Sequence, residues 1–234
     1  SQHTTVYMVF VPANFWYGYY GTFPNAWWNS LTPVQSNAVA NLCGNQLTGY
    51  TFMSYGGVGD QPGRHRWHYL APWQTLPDGT FIPTNKFGVP GTVVLPGAAI
   101  SSSFLPTALP LYYQWNRDYP HPDQNTIYTF TNMPVPIPTE DSPNLPMPYL
   151  AFNYQGQLTF DGQTLATRHE YIPLARGSVL PAVDANTKMF LVTNTPAGAL
   201  QVYEVPPGNS TNAYNLINID PLTGRARLEE PRVQ

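Results

Sequence analysis

Several clusters in this sequence hold side chains that could do chemistry. In "GDQPGRHRWHYLAPW", His65 and His68 stand three residues apart with Asp60 upstream. On a helix that spacing could bind zinc, but the segment follows Pro62-Gly63 and reads as a loop. No Glu or Cys accompanies the pair, as zinc motifs require. "RDYPHPD" gathers Arg117, Asp118, His121 and Asp123. Calcium prefers several oxygen ligands at loop spacing, and Asp118 with Asp123 supplies too few. Ser178, His169 and either Asp161 or Asp184 contain the ingredients of a nucleophilic triad, which geometry and not sequence proximity defines. No Gly-x-Ser-x-Gly elbow is present, and Ser178 is expected to open an ordinary strand. Glycoside hydrolysis needs two carboxylates facing across a groove. Glu170 and Glu204, both in apparent strands, stand out most among the thirteen acidic residues. "GGVGD" lacks the lysine and following helix of a phosphate loop. Cys43 is the one cysteine; it reads as a small buried thiol. No catalytic residue, metal site or cofactor is assigned.

The stretch "NFWYGYYGTFPNAWW", Asn14 to Trp28, is the least ordinary feature. No periodic strand or helix wants such a density of rings. The first expectation is a lid folded over the protein's own core: Phe15, Trp16 and Phe23 buried against a helix face of Val34, Ala38 and Leu42. Next come contact with a partner chain and a ligand platform. A platform would use Tyr17, Tyr19, Tyr20, Trp27 and Trp28, with Asn14, Asn25 and Asn29 as hydrogen-bonding neighbours. Gly18, Gly21 and Pro24 allow a compact loop.

Composition bounds the rest. Among 234 residues, charged side chains make up 10%, against roughly 25% in an average globular protein. The 26 prolines and 18 glycines argue for turns and loops over helix. Aromatics at 14% argue against disorder. Net charge is −3 and the basic residues are scattered, so no nucleic-acid-binding stripe is visible. No apolar run is long enough to span a membrane.

These residues must be positioned mainly by strands. "TTVYMVFVP" is apolar on both faces and predicts a central strand covered on both sides. "TPVQSNAVANLCG" predicts one short helix, with Thr32 as N-cap, Pro33 at its first position and Gly44 as its stop. "GYTFMSYGGV", "TLPDGTFIP", "GTVVLP", "YLAFNYQGQLTFDGQT", "HEYIPLARGSVL" and "KMFLVT" predict strands, with a hairpin turn at "YQGQ". In "YNLINIDPLTGRARLEE", Gly224 takes a left-handed turn position; Arg225, Arg227 and Glu229 point out, Ala226 and Leu228 in. The Pro-dense "MPVPIPTEDSPNLPMP" reads as polyproline-like and excluded from a sheet. The expectation is a single mainly β domain over residues 1–234, an antiparallel β-sandwich with one short helix. Pro/aromatic-rich loop insertions fall at about 13–31 and 100–148.

"TTVYMVFVP", "GDQPGRHRWHYLAPWQTLPDGTFIPTNKF", "LAFNYQGQL", "EYIPLARGSV" and "YNLINIDPLTGRARLE" together resemble the globular part of bacterial prepilin-type proteins. The H-type minor pseudopilins of type II secretion, the GspH/FimT class, are the most similar group. The resemblance implies a strand opening a β-sandwich and a closing hairpin. It also implies an N-terminal membrane-anchoring helix, expected to precede this chain, which has neither that helix nor the prepilin cleavage site. The two insertions lie outside it.

The resemblance implies a structural subunit of a secretion pseudopilus or a related type IV pilus-like filament. The subunit would sit at the periplasmic or extracellular face of the bacterial cell envelope and act through protein–protein contacts. Its partners would be other pseudopilin or pilin subunits, with secreted proteins or extracellular polysaccharide as further candidates. The aromatics keep a carbohydrate- or polymer-binding module open, with Trp16, Trp27, Trp28, Trp67, Trp73 and Trp115 expected on loops. A hydrolase on an unusual β scaffold is the third alternative.

Overall fold

Residues 6–10 alternate between two apolar environments, and the fold is built around that alternation. In the computed structural model, residues 4–17, 25–57, 60, 65–87, 113–114, 126–127, 129–192, 200–212 and 214–230 are described. The strands are β1 (Val6–Phe10), β2 (Gly49–Tyr55), β3 (Trp67–Tyr69), β4 (Gln74–Thr75), β5 (Thr80–Phe81), β6 (Tyr113–Gln114) and β7 (Thr126–Ile127), followed by β8 (Thr131–Pro136), β9 (Asn144–Phe152), β10 (Leu158–Thr159), β11 (Glu170–Pro181), β12 (Leu200–Glu204), β13 (Asn215–Ile219) and β14 (Ala226–Glu229). The helices are α1 (Ala26–Asn29), α2 (Pro33–Leu42) and α3 (Asn209–Asn212), with single tight turns at Cys43–Asn45 and Thr84–Phe87.

The structure is mainly β and every strand pair is antiparallel. A seven-stranded sheet runs β10-β9-β1-β2-β3, with β8 extending the β9 edge and β4 the β2 edge. A five-stranded sheet runs β12-β11-β13-β14, with β5 on β11. Phe10, Leu150 and Leu158 of the first sheet share one buried cluster with Ile172 and Ile219 of the second. Tyr7, Val9, Met53, Tyr149 and Ala151 point the other way and are covered by Phe15, Trp16, Trp27, Val39, Leu42 and Cys43. β1 is therefore central and covered on both faces, as its two-sided apolar pattern requires.

α2 starts as the sequence predicts. The Thr32 side chain accepts from the Gln35 N–H, the Gln35 side chain accepts from the Thr32 N–H, and Pro33 holds the first position. Its buried face differs from expectation: Val39 and Leu42 go in, while Val34 is 79% exposed. Only the C-terminal half of the helix meets the core. There Cys43 donates to the Val39 carbonyl, and burial pushes its thiol up to about 12.

The Pro-dense segment contradicts its reading as a structure excluded from sheets. It forms the β8–β9 hairpin, and Val135, Ile137, Leu145 and Met147 are fully buried. The reason lies in parity. Pro134 faces Pro146, Asn132 faces Pro148, and Pro136 faces Asn144. The Ile137 N–H donates to the Pro143 carbonyl in the same ladder, so odd-numbered residues carry the inter-strand bonds. Every proline of this hairpin's strands sits at an even position, where an N–H would face away from the partner strand. Pro148 also ends the pairing of β9 with β1, which stops at Val9 opposite Tyr149 although β1 runs on to Phe10.

Three other expectations shift. β3 lies in the segment read as a loop and pairs with β2. "KMFLVT" makes a single bridge, Val183 to Phe190, in place of a strand. Ala226 and Leu228 are opposite Ile219 and Ile217, yet β14 overhangs the core and Leu228 is 60% exposed. The possible strand "GTVVLP" lies outside the described residues. Gly224 does take the left-handed position, at φ 61°, and the "YQGQ" turn is closed by the Asn153 side chain, which accepts from the Gln155 and Gln157 N–H groups.

One turn recurs. Asp161, Asp184 and Asp220 each accept from the backbone N–H groups two and three residues on and from the hydroxyl of a threonine three residues on. Those hydrogen bonds, first among them the one from the threonine N–H, hold all three carboxyls below the usual range.

Candidate binding groove beside the aromatic lid

The aromatic stretch is a lid, in its described part. Phe15 and Trp16 are buried edge to face, with ring centroids 5.4 Å apart. Asn25 caps α1, accepting from the Trp28 N–H at 2.9 Å, while its amide donates to the Trp16 carbonyl at 2.9 Å. It is a buried tie between two parts of the lid and not a surface partner for a ligand. Trp27 corrects the platform reading: its ring is buried, and its indole N–H donates to the Pro143 carbonyl at 2.9 Å. Burying such a ring is worth about 1.5–3 kcal/mol, which a flat exposed platform would forfeit. Tyr17 and Trp28 are half-buried and pack against the same core. Tyr19, Tyr20 and Phe23 lie outside the described residues, as do Arg117, Asp118, His121, Asp123 and Trp115. Trp67 and Trp73, expected on loops, are half-buried against the lid-side core, Trp67 from within β3.

The chemical candidates disperse. Ser178 and His169 lie nine residues apart along one extended chain, roughly 30 Å at strand rise, so they form no triad. Ser178 sits opposite Tyr203, and His169 Nδ1 lies 2.7 Å from Asn218 Oδ1. Asp161 and Asp184 are spent on their own turns. Glu204 is opposite Gly177, seven residues along β11 from Glu170, roughly 23 Å and far beyond the spacing of a glycosidase pair. Glu170 instead meets Lys86, which is 1% exposed and sits 4.5 Å over the Phe130 ring. Burial pulls the Lys86 ammonium below the usual lysine range while Glu170 holds it up.

Asp60 and His68 do converge, and His65 does not. His65 and His68 differ by an odd number along an extended segment and so project to opposite sides. His65 goes to the Tyr55 ring, 5.8 Å between centroids. His68 Nε2 is 3.2 Å from Asp60 Oδ1, and its Nδ1 is 3.8 Å from Glu140 Oε2. Both imidazole nitrogens therefore face carboxylates, Nε2 within hydrogen-bonding distance of Asp60 and Nδ1 farther from Glu140. Asp60 also accepts from the Arg66 and Gly57 N–H groups. The Arg66 N–H foremost, then His68 and the Gly57 N–H, hold its carboxyl below the usual range against desolvation.

Glu140 belongs to the β8–β9 turn. It accepts from the Tyr69 N–H at 2.7 Å, and the Tyr69 hydroxyl donates to the Pro136 carbonyl at 2.7 Å. The same turn meets the lid, through Trp27 on Pro143 and through the Gln35 amide on the Asp141 carbonyl at 3.3 Å. Between β3 and this turn opens a groove of about 350 Å³, lined by Arg66, Trp67, His68, Pro136, Glu140, Asp141 and Asn144. No family model, curated protein or solved structure matches the chain. The groove is thus read from its own residues. Sequence reasoning singled out Asp60 with His68 as one cluster and Trp67 apart from them, and missed Glu140, Asp141 and Asn144. Their link to β3 depends on the Pro-dense hairpin being a sheet element.

Proposed function

We propose that this domain is a structural subunit of a type II secretion pseudopilus or a related type IV pilus-like filament, working through protein–protein contacts at the bacterial cell envelope. One observation carries the reading. The β11–β12 ribbon turns Val179, Leu200 and Val202 toward a small buried cluster. Its opposite face leaves Leu180 51%, Tyr203 55% and Val205 65% exposed. Ser178 stands opposite Tyr203 and Leu180 opposite Gln201, and the exposed Arg176 accepts at its carbonyl from the Val205 N–H, so one strip mixes large apolar groups with polar ones and an arginine. Exposed apolar groups gathered on one face mark contact surfaces, and charge-poor, aromatic-containing strips suit protein interfaces. The opening strand and closing hairpin on which the sequence resemblance rests, β1 and β13–β14, are both present.

Two measurements test it. The full gene should encode a short basic leader and an apolar helix just before Ser1, processed by a prepilin peptidase. In the full-length protein, Tyr203→Lys with Val205→Lys should abolish incorporation into filaments while leaving the isolated domain's unfolding transition in place. A gene without leader and helix, or a doubly charged variant that assembles normally, removes the proposal.

A further inference from the structure

We propose that the groove between β3 and the β8–β9 turn binds a neutral saccharide. The proposal is independent of the filament reading and rests on the groove alone. Its volume, about 350 Å³, falls at the small end of the range typical of ligand sites, about 300–1,000 Å³. Its lining decides the ligand class. Arg66, Glu140 and Asp141 all line the groove, so both signs of charge are present: a compact cation also meets a guanidinium and an anion also meets two carboxylates. Asn144 both donates and accepts, Arg66 only donates, and the carboxylates only accept. A ligand whose hydroxyls both donate and accept can use all of them. Trp67 adds an apolar wall, and the C–H face of a sugar ring is the partner that stacks on an indole without a charge.

The groove is also built before any ligand arrives. The Trp67 ring is fixed by Tyr7 at 5.1 Å and by Tyr55 at 5.0 Å between centroids. His68 is held between Asp60 and Glu140, and Glu140 is further held by the Tyr69 N–H. The Asp141 backbone is tied to Gln35 of α2. Side chains already fixed lose little rotamer freedom on binding, and that lowers the entropic cost of capture.

The test is an NMR titration of the domain that follows the Trp67 indole N–H. The probes are glucose, N-acetylglucosamine, cellotetraose, maltotetraose and chitotetraose, with trilysine and inorganic phosphate as charged competitors. At least one neutral sugar should shift the indole signal saturably. Asn144→Ala changes an exposed residue and should weaken that binding about tenfold, the loss of one or two hydrogen bonds, with the rest of the spectrum unchanged. Binding by a monosaccharide as tight as by its tetrasaccharide points to a free sugar; binding by tetrasaccharides alone points to a polysaccharide. No shift with any sugar at about 10 mM overturns the proposal. So does an affinity untouched by Asn144→Ala, or saturation by trilysine or phosphate in place of the sugars.

Discussion

Lys188→Gly is expected to stabilise the domain, because the protein contains one turn geometry twice, with lysine at the left-handed position of one copy and glycine at that of the other. Asp184 and Asp220 each open a turn closed by a bond from their own N–H to the carbonyl five residues on, at 2.9 and 3.0 Å. In each, the residue four positions on donates back to the aspartate carbonyl, Lys188 at 2.9 Å and Gly224 at 2.8 Å. Both are left-handed, φ 58° for Lys188 and 61° for Gly224. An L side chain in that region costs about 1–2 kcal/mol, and glycine returns about 0.4–1 kcal/mol of that through its freer unfolded chain. The net gain for Lys188→Gly is about 0.5–1 kcal/mol, or about 2 °C in Tm for a domain of this size. Lys188→Ala keeps the left-handed strain and drops the charge, so it should be close to neutral. Gly224→Ala should cost about 3 kcal/mol, since to the strain it adds overpacking of about 1–3 kcal/mol: a Cβ there drives into the Gly156 carbonyl oxygen and approaches the Phe152 ring. Urea denaturation followed by tryptophan fluorescence reads all three as midpoint shifts at constant slope. A neutral or destabilising Lys188→Gly, or a Lys188→Ala that gains as much, would show that the two turns are not energetically alike.

Other perturbations follow from the same structure. Asp161, Asp184 and Asp220 have carboxyls depressed by backbone and hydroxyl donors, so their contribution is present above the unfolded aspartate value, near 3.9. It is lost as pH falls through the folded values. Stability should therefore drop below about pH 4, and Asp220→Asn should flatten that drop in a pH series of urea midpoints; an unchanged pH dependence would count against the turn bonds. Glu170→Ala removes the carboxylate that compensates the buried Lys86 ammonium and should cost about 3–5 kcal/mol, whereas Lys86→Met with Glu170→Leu should recover most of it. A double-mutant cycle decides; a single substitution as mild as the pair refutes the role of Glu170 in compensating the buried charge. Met133→Pro removes an N–H from the β8–β9 ladder and should cost at least about 2 kcal/mol. Pro134→Ala adds an N–H that points away from β9 and should stay within about 1 kcal/mol. Equal costs would contradict the parity assignment.

Much of the frame was legible where one residue's chemistry decides one local feature. Thr32 and Pro33 announce α2, Gly224 announces a left-handed turn, and the two-sided apolar run of β1 announces a strand between two layers. Exposure was less legible, because alternation reports which face a residue takes and not whether anything covers that face. Leu228 shares its face with Ile217 but stands on an edge strand beyond the core. Val34 is apolar and helical yet is 79% exposed in the first turn of α2.

The β8–β9 hairpin shows why the groove itself was hidden. Proline density argues against a sheet only if the prolines fall where the ladder needs N–H groups. Here "TNMPVP" and "NLPMPY" place them every second residue, with Met133, Val135, Leu145 and Met147 between. That spacing is itself a strand period: proline marks the non-bonded positions and the apolar residues at bonded positions face the lid-side core. A chain obeying this rule can form a hairpin whose outer edge offers few N–H donors, which limits edge-to-edge pairing with another sheet. The same arrangement brings Glu140, Asp141 and Asn144 at the hairpin's tip across to Trp67 and His68, although more than seventy residues separate the two segments. The groove is thus a product of the hairpin's register, and no local motif could have disclosed it.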